Sequence, residues 1–264
     1  MLSIFSKSKN KKTKEAIFLH IPKSGGSTFV GLLQSAFKNN NSTESLTPTH
    51  KTNRVGTTTI YHVDFSSKHR RFKGAEIFST KNTDEFADKL LFMLLRDPIE
   101  RLISEFNFQY HILEGKSGNP NAMILNNLKQ RPQSFEAYIE CKETQNYQLK
   151  FLLGRPINDP KKVTESELER ILEKIDTLPI YCGITEEYAS FLNLFEEKTQ
   201  TSLPKKVAVR KKTPFIYQVV IDDTLRERIK LLNSMDYKLY DHIKKRITIN
   251  NKKFRFIQSD KFIV

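Results

Sequence analysis

One stretch near the amino terminus, residues 16–29 (AIFLHIPKSGGSTF), constrains the fold more than any other. Its apolar run at residues 17–21 predicts a buried strand, and apolar side chains recur at helical spacing between residues 29 and 37. Between the two lie Pro22, Lys23, two glycines and three hydroxyl residues. The order strand, tight glycine turn, helix directs backbone N–H groups and the positive end of a helix dipole at one point. This arrangement predicts an anion site.

The ligand of this site should carry a phosphate group or a group like it. The residues expected to bind it are Lys23, Ser24, Gly25, Gly26, Ser27 and Thr28. In the loop of nucleotide triphosphatases the lysine follows the glycines (GxxxxGK, then S or T), whereas here the lysine precedes them. A glycine turn that only connects a strand to a helix would explain the glycines, but not the lysine, the hydroxyls and the proline together.

A second strand followed by a helix is predicted at residues 90–106 (LLFMLLRDPIERLISEF). Residues 90–95 form the apolar strand run. Asp97 suits the N-cap of the helix, Pro98 its first position, and Glu100 can complete a capping box. The apolar side chains at helical spacing predict its buried face: Ile99, Leu102, Ile103 and Phe106.

Three polar residues of this second segment differ in their expected roles. Arg96 follows the strand directly, at the carboxyl end where open α/β sheets bind ligands. Ser104 lies about two turns into the helix. For Arg101 we favour a solvated helix surface or an ion pair with Glu105.

Both segments resemble nucleotide-binding motifs of the sulfotransferases. The string HIPKSGGST resembles their 5′-phosphosulfate loop, most closely in the branch of the heparan 2-O-sulfotransferases and their bacterial relatives. The string LRDPIERLISEF resembles their 3′-phosphate motif. The resemblance implies the sulfate donor 3′-phosphoadenosine 5′-phosphosulfate (PAPS), with Arg96 and Ser104 on its 3′-phosphate. The loop would then bind the 5′-phosphate and sulfate. Lys23 would neutralise the negative charge that develops on the oxygen that leaves with the nucleotide.

Weaker motifs extend the resemblance to residues 16–247. They are residues 146–154 (NYQLKFLLG), 182–192 (CGITEEYASFL) and 231–240 (LLNSMDYKLY). We interpret most of these segments as packing elements of the core. The fold implied is one α/β domain at residues 16–247, a parallel sheet with helices on both faces, related to the nucleotide kinases. Residues 1–15 and 248–264 are expected to be basic tails. The two apolar strands should be neighbours or nearly so, because both must reach one nucleotide.

The acceptor hydroxyl needs a base, and histidine suits this near neutral pH. His62 lies in a β-rich run, residues 57–65 (TTTIYHVDF). Family members carry a histidine in the corresponding motif, and in the heparan 2-O branch it is the catalytic base, although Tyr61 stands where they usually have glycine. The alternative is a strand histidine that bonds a neighbouring backbone carbonyl.

The charge of the chain agrees with an anionic ligand, because the formal net charge is +14. Such a field attracts nucleotides, acidic polysaccharides, nucleic acids and anionic membranes alike. We expect the nucleotide donor and a hydroxylated acceptor, an acidic or neutral glycan, as partners. The Pro-bounded basic stretch at residues 204–214 is a candidate contact to either. No nucleic-acid-reading module is recognisable, so nucleic acid is not expected.

Other features of the sequence narrow the class of protein. There is no cluster of carboxylates, and we expect no metal. Two cysteines, Cys141 and Cys182, give neither a disulfide framework nor metal spacing. No apolar run has the length of a membrane helix, although peripheral membrane contact is compatible with the charge. Animal relatives carry a Golgi anchor and this chain does not, so we expect a cytoplasmic enzyme. A P-loop-type kinase of nucleotides or small molecules is the alternative function.

Overall fold

The computed structural model describes residues 14–39, 53–55, 58–63, 78, 86–113, 124–125, 132–156, 158–204 and 219–254. The strands are β1 (Lys14–Leu19), β2 (Asn53–Val55), β3 (Thr58–Val63), β4 (Leu90–Leu95) and β5 (Ile180–Ile184). The helices are α1 (Gly26–Asn39), α2 (Pro98–Leu113), α3 (Phe135–Glu140), α4 (Tyr147–Leu152), α5 (Glu165–Thr177), α6 (Tyr188–Thr199), α7 (Asp223–Leu232) and α8 (Ser234–Phe254). For β2 and β3 the description covers the backbone alone.

The five strands form one sheet in the order β2-β3-β1-β4-β5. Strands β3, β1, β4 and β5 are parallel, and β2 is antiparallel to β3 at the edge. The predicted adjacency of the two apolar strands is confirmed, since β1 pairs with β4 with Phe18 opposite Phe92. The carboxyl ends of these strands therefore lie at the same edge of the sheet, where ligands of open α/β sheets bind.

The first strand begins and ends earlier than the apolar run predicts. It starts at Lys14 because pairing with β3 continues to that residue, opposite Thr58. It ends at Leu19, and the backbone N–H of Ile21 then turns back to the Leu19 carbonyl at 3.1 Å. His20 and Ile21 thus belong to the connection that follows, and not to the strand.

Helices cover both faces of the sheet, as predicted. Side chains alternate along β1, so that Phe18 packs with α1 and α6 while Ile17 and Leu19 pack with α4, α5 and α8. On the first face α6 approaches β5 closely at Gly183, where a Cβ would lie 2.6 Å from Phe191 Cδ2. A separate apolar cluster joins α2 to α3 and α7.

Candidate active site

The connection from β1 to α1, residues 20–25, is called the glycine loop below. Lys23 has a φ of 68° and Gly25 a φ of 80°, which are left-handed values that residues other than glycine rarely adopt. The Gly25 carbonyl accepts the first backbone bonds of the helix, from Thr28 at 3.1 Å and Phe29 at 3.3 Å. Gly26 begins α1 against the ring of His20, since a Cβ there would lie 2.1 Å from His20 Cδ2. The two glycines are therefore required by backbone conformation and by close approach.

The segment after β5, residues 185–188, holds the glycine loop in place through hydrogen bonds. The Tyr188 hydroxyl donates to the Gly25 carbonyl at 3.3 Å, and the Thr185 hydroxyl donates to the Leu95 carbonyl at 3.0 Å. Burial raises the pKa of Tyr188, which keeps its hydroxyl protonated as a donor. Together these bonds connect the segment after β5 to the glycine loop and to the end of β4.

Lys23 faces helix α2. Its Nζ lies 4.1 Å from the centroid of the Phe108 ring, a cation–π contact. Ser104 precedes Phe108 by one turn and therefore shares its side of the helix, where it is half-buried. The predicted loop lysine and the predicted 3′-phosphate serine thus lie along the same strip of α2.

Arg96 lies at the end of β4 and reaches the glycine loop directly. Its Nη1 donates to the Lys23 carbonyl at 3.4 Å, and its Nη2 bonds the Glu100 carboxylate at 3.1 Å. The Arg96 side chain is 22% exposed and that of Glu100 is 53% exposed, so this ion pair is open to solvent. An anion at this position would compete with Glu100 for the guanidinium.

The start of α2 confirms Asp97 as the N-cap and corrects the expected capping box. The Asp97 carboxylate accepts from the N–H groups of Ile99 at 2.9 Å and Glu100 at 3.1 Å. Glu100 does not return to the Asp97 N–H, because it binds Arg96 instead. That N–H donates to Glu186 Oε1 at 3.0 Å, a residue of the segment after β5.

The expectation for Arg101 was wrong in one respect. The ion pair with Glu105 forms at 3.5 Å, but the side chain of Arg101 is 1% exposed and is not on a solvated surface. Its guanidinium lies 4.2 Å from the Tyr147 ring centroid and donates to the Pro22 carbonyl at 3.5 Å. Arg101 is buried because α4 and the glycine loop cover this side of α2.

Gln148 is a residue of the site that sequence reasoning missed. It is fully buried on α4, and its amide bonds both the Arg96 backbone and the Ser24 hydroxyl. The sequence carries a signal for it. Residues 146–154, which we interpret as core packing, contain the polar residues Asn146 and Gln148. A buried polar side chain such as that of Gln148 must find partners, because burial without hydrogen bonds is costly.

The remaining predicted site residues are distributed as follows. Ser24 is buried, and its hydroxyl is directed to Gln148 and thus into the protein. Ser27 and Thr28 are half-buried in the first turn of α1. The backbone of His62 lies on β3 opposite Phe18, one residue before the strand ends, but its side chain lies outside the description. Residues 205–214 of the basic stretch lie outside it as well.

Two further features concern the cysteines and the possible metal or membrane contacts. Cys141 and Cys182 are both free thiols, and burial raises the pKa of Cys182 to about 12. Within the ranges described, no group of three or more His, Cys, Asp or Glu side chains could hold a metal ion. None of the helices in those same ranges combines the length and apolar character needed to cross a bilayer.

Comparison with known proteins adds to this geometry. The family model described as the sulfotransferase family matches residues 9–242, most of the chain. That range contains the glycine loop, Arg96, Gln148 and the segment after β5. A search among curated proteins found no significant match. From the extent of the family match, the chain belongs to the sulfotransferase family.

Proposed function

We propose that this sulfotransferase takes the sulfuryl group of PAPS and transfers it to a hydroxyl group of a carbohydrate. The observation that carries the proposal is the contact between its two predicted phosphate-binding segments. Arg96 Nη1 lies 3.4 Å from the Lys23 carbonyl, so the end of β4 and the glycine loop are in contact, as a shared site would require. A ligand with phosphates at both ends of a ribose could contact both segments at once.

The side chains present fit such a ligand. The amino end of α1 directs backbone N–H groups and a positive dipole end toward an anion. Ser27 and Thr28 carry hydroxyl donors in its first turn. Arg96 carries a planar fork of donors suited to two phosphate oxygens.

The chain would contribute mainly charge and position to the reaction. Bound PAPS supplies an activated sulfuryl group, whose S–O bond to the 5′-phosphate breaks as the bond to the acceptor oxygen forms. Lys23 would place its ammonium beside the oxygen that leaves with the nucleotide, so that its stabilisation is largest in the transition state. Its contact with Phe108 would keep the ammonium on the strip of α2 that carries Ser104.

His62 would accept the proton of the acceptor hydroxyl. Its backbone lies on β3, next to the strand that enters the glycine loop, which supports this role. The carbohydrate acceptor rests on the likeness of the motifs to the heparan 2-O branch. The formal net charge of +14 favours acidic members of that class of acceptor.

Calorimetry with the product nucleotide, 3′-phosphoadenosine 5′-phosphate (PAP), tests the donor. We expect PAP to bind in the presence of EDTA at least about tenfold more tightly than ADP, because ADP lacks the 3′-phosphate that Arg96 would bind. ATP with and without magnesium should bind more weakly than PAP.

The same titrations distinguish the alternative function. Equal affinities for PAP and ADP would contradict a 3′-phosphate site at Arg96. Tight binding of ATP only with magnesium would instead support a kinase. The Arg96→Ala variant is the control, since it should remove the preference for PAP and leave ADP binding nearly unchanged.

A further inference from the structure

Gln148 connects the two predicted phosphate-binding segments through a single side chain. Its Oε1 accepts from the backbone N–H of Arg96 at 3.0 Å and from the Ser24 hydroxyl at 3.5 Å. Its Nε2 donates to the carbonyl of Arg96 at 2.9 Å. The amide therefore holds both backbone polar groups of Arg96 and one side chain of the glycine loop.

The position of Gln148 is itself determined by a buried polar network. The Asp236 carboxylate accepts from the backbone N–H of Gln148 at 3.0 Å and of Leu149 at 2.9 Å. Asn146, at a φ of 50°, accepts from the backbone N–H groups of Met235 at 3.0 Å and Asp236 at 3.1 Å. These bonds attach the amino end of α4 to the start of α8.

A second pair of bonds makes this attachment reciprocal. The backbone N–H of Asn146 donates to the Asn233 side chain at 2.9 Å, and the Asn146 amide donates to the Leu232 carbonyl at 3.2 Å. Asn233 is itself 2% exposed. Because several bonds to residues 232–236 hold the amino end of α4, the Gln148 side chain has little freedom to follow a displaced Arg96 or Ser24.

We propose that Gln148 is a positioning residue that sets the distance between the 5′- and 3′-phosphate sites. The inference rests on the proposed function and adds how the two phosphate sites bind one nucleotide at the same time. Each site alone needs only its own segment, whereas a bisphosphate gains affinity only if both sites lie at the matching separation. The gain is that of bivalent binding, which is lost when the geometry forbids simultaneous contact.

The test compares three nucleotides on Gln148→Met, which nearly conserves the side-chain volume while removing the amide. We expect its dissociation constant for PAP to rise about ten- to a hundredfold, because buried backbone partners of the amide are left unpaired and the two sites shift apart. The dissociation constants for 5′-AMP and 3′-AMP should each change less than about threefold, since each occupies one site.

Gln109→Met is the matched control. Gln109 is also buried and hydrogen-bonded, on α2, but its side-chain partners are Glu105 and the backbone N–H of Ile124. It should lose stability without a selective loss of PAP affinity. Should Gln148→Met not fold, Gln148→Glu keeps the shape and the acceptor but sets a carboxylate against the Arg96 carbonyl. The selective loss of PAP affinity is then expected in that variant.

The outcomes separate the inference from the proposed function. Unchanged PAP affinity in the Gln148 variant would overturn the inference, as would an equal loss for all three nucleotides. A wild-type protein that binds PAP no better than 5′-AMP would overturn the proposed function and, with it, the role of Gln148.

Discussion

At the scale of single residues, Lys23 and Arg96 are adjacent in the structure but should act at different stages of the reaction. Arg96→Ala removes a donor to the 3′-phosphate, so the dissociation constant of PAP should rise about ten- to a hundredfold. Lys23→Ala removes a charge that matters most in the transition state, so kcat should fall about 10²–10³-fold. Titrations and initial rates measure the two effects.

Lys245→Ala, on the exposed surface of α8, is the control for loss of a positive charge. A Lys23→Ala variant with normal kcat and severely weakened PAP binding would contradict the assignment of Lys23 to the leaving oxygen. The Arg96 result depends on no step of the chemistry, so it tests binding separately.

His62 belongs to the same scale, and its role remains a prediction. His62→Ala should reduce kcat about 10²–10⁴-fold with PAP affinity little changed, as for a lost general base. His242→Ala is the control, since that ring bonds Asp176 of α5 at 3.1 Å and neither residue belongs to the candidate site. Normal turnover in His62→Ala would assign the base to another residue.

At the scale of secondary structure, α4 carries an unusual buried lysine. The Nζ of Lys150 donates to the carbonyls of Lys142 at 2.6 Å and Asp159 at 2.7 Å. Burial lowers its pKa to about 8, although Asp159 acts in the opposite direction. In the unfolded chain its pKa is about 10.5, so between these values the unfolded state binds more protons than the folded state.

The free energy of unfolding should therefore rise with pH between about 8 and 10.5 because of Lys150. Other lysines and tyrosines titrate in the same range, so the measured quantity is the difference from Lys150→Met. That variant should lack a pH-dependent gain on the order of 1–3 kcal/mol in denaturant titrations. Lys245→Met, at an exposed position, should keep the gain, and equal slopes in all three proteins would contradict the prediction.

Helix α2 shows at this scale why Arg101 was misjudged. Its predicted apolar face is confirmed, with Ile99, Leu102 and Phe106 buried against α3 and α7. A helix in contact with one neighbour would leave Arg101 in solvent. Here α4 and the glycine loop cover a second side, and the guanidinium is placed between Pro22 and the Tyr147 ring.

At the scale of the whole molecule, nucleotide binding should stabilise the fold. The proposed site lies where the neighbouring strands β1 and β4 end. Side chains of α4 and α6 form hydrogen bonds to the glycine loop there. PAP at a hundred times its dissociation constant should add about 2.7 kcal/mol to the free energy of unfolding. The melting temperature should rise by about 5–10 °C.

Thermal melts with and without PAP measure this shift. Arg96→Ala at the same PAP concentration is the control and should lose most of it. A shift that is equal in both proteins would indicate that PAP binds elsewhere on this basic molecule, because a positive field attracts nucleotides without a specific site.

The sequence by itself determined β4, the glycine turn and the start of α2, because each depends on neighbouring residues. An apolar run predicted β4 at its observed bounds, and Asp97 was identified as a cap because its partners lie two and three residues away. The family motifs also predicted a fold with helices on both faces of a parallel sheet. The strand, the turn and the cap require only local hydrogen bonds and periodicity, whereas the arrangement of sheet and helices was implied by the family resemblance.

Only the tertiary structure decided which distant residues share a contact. Arg101 donates to the Pro22 carbonyl across 79 positions of sequence, and Gln148 reaches Arg96 across 52 positions. Such partners are selected by the packing of α4 on the sheet, which a local pattern cannot reveal. The physical reason is that a buried polar group must be satisfied by whichever partner the fold brings near, and that partner is set by the whole chain.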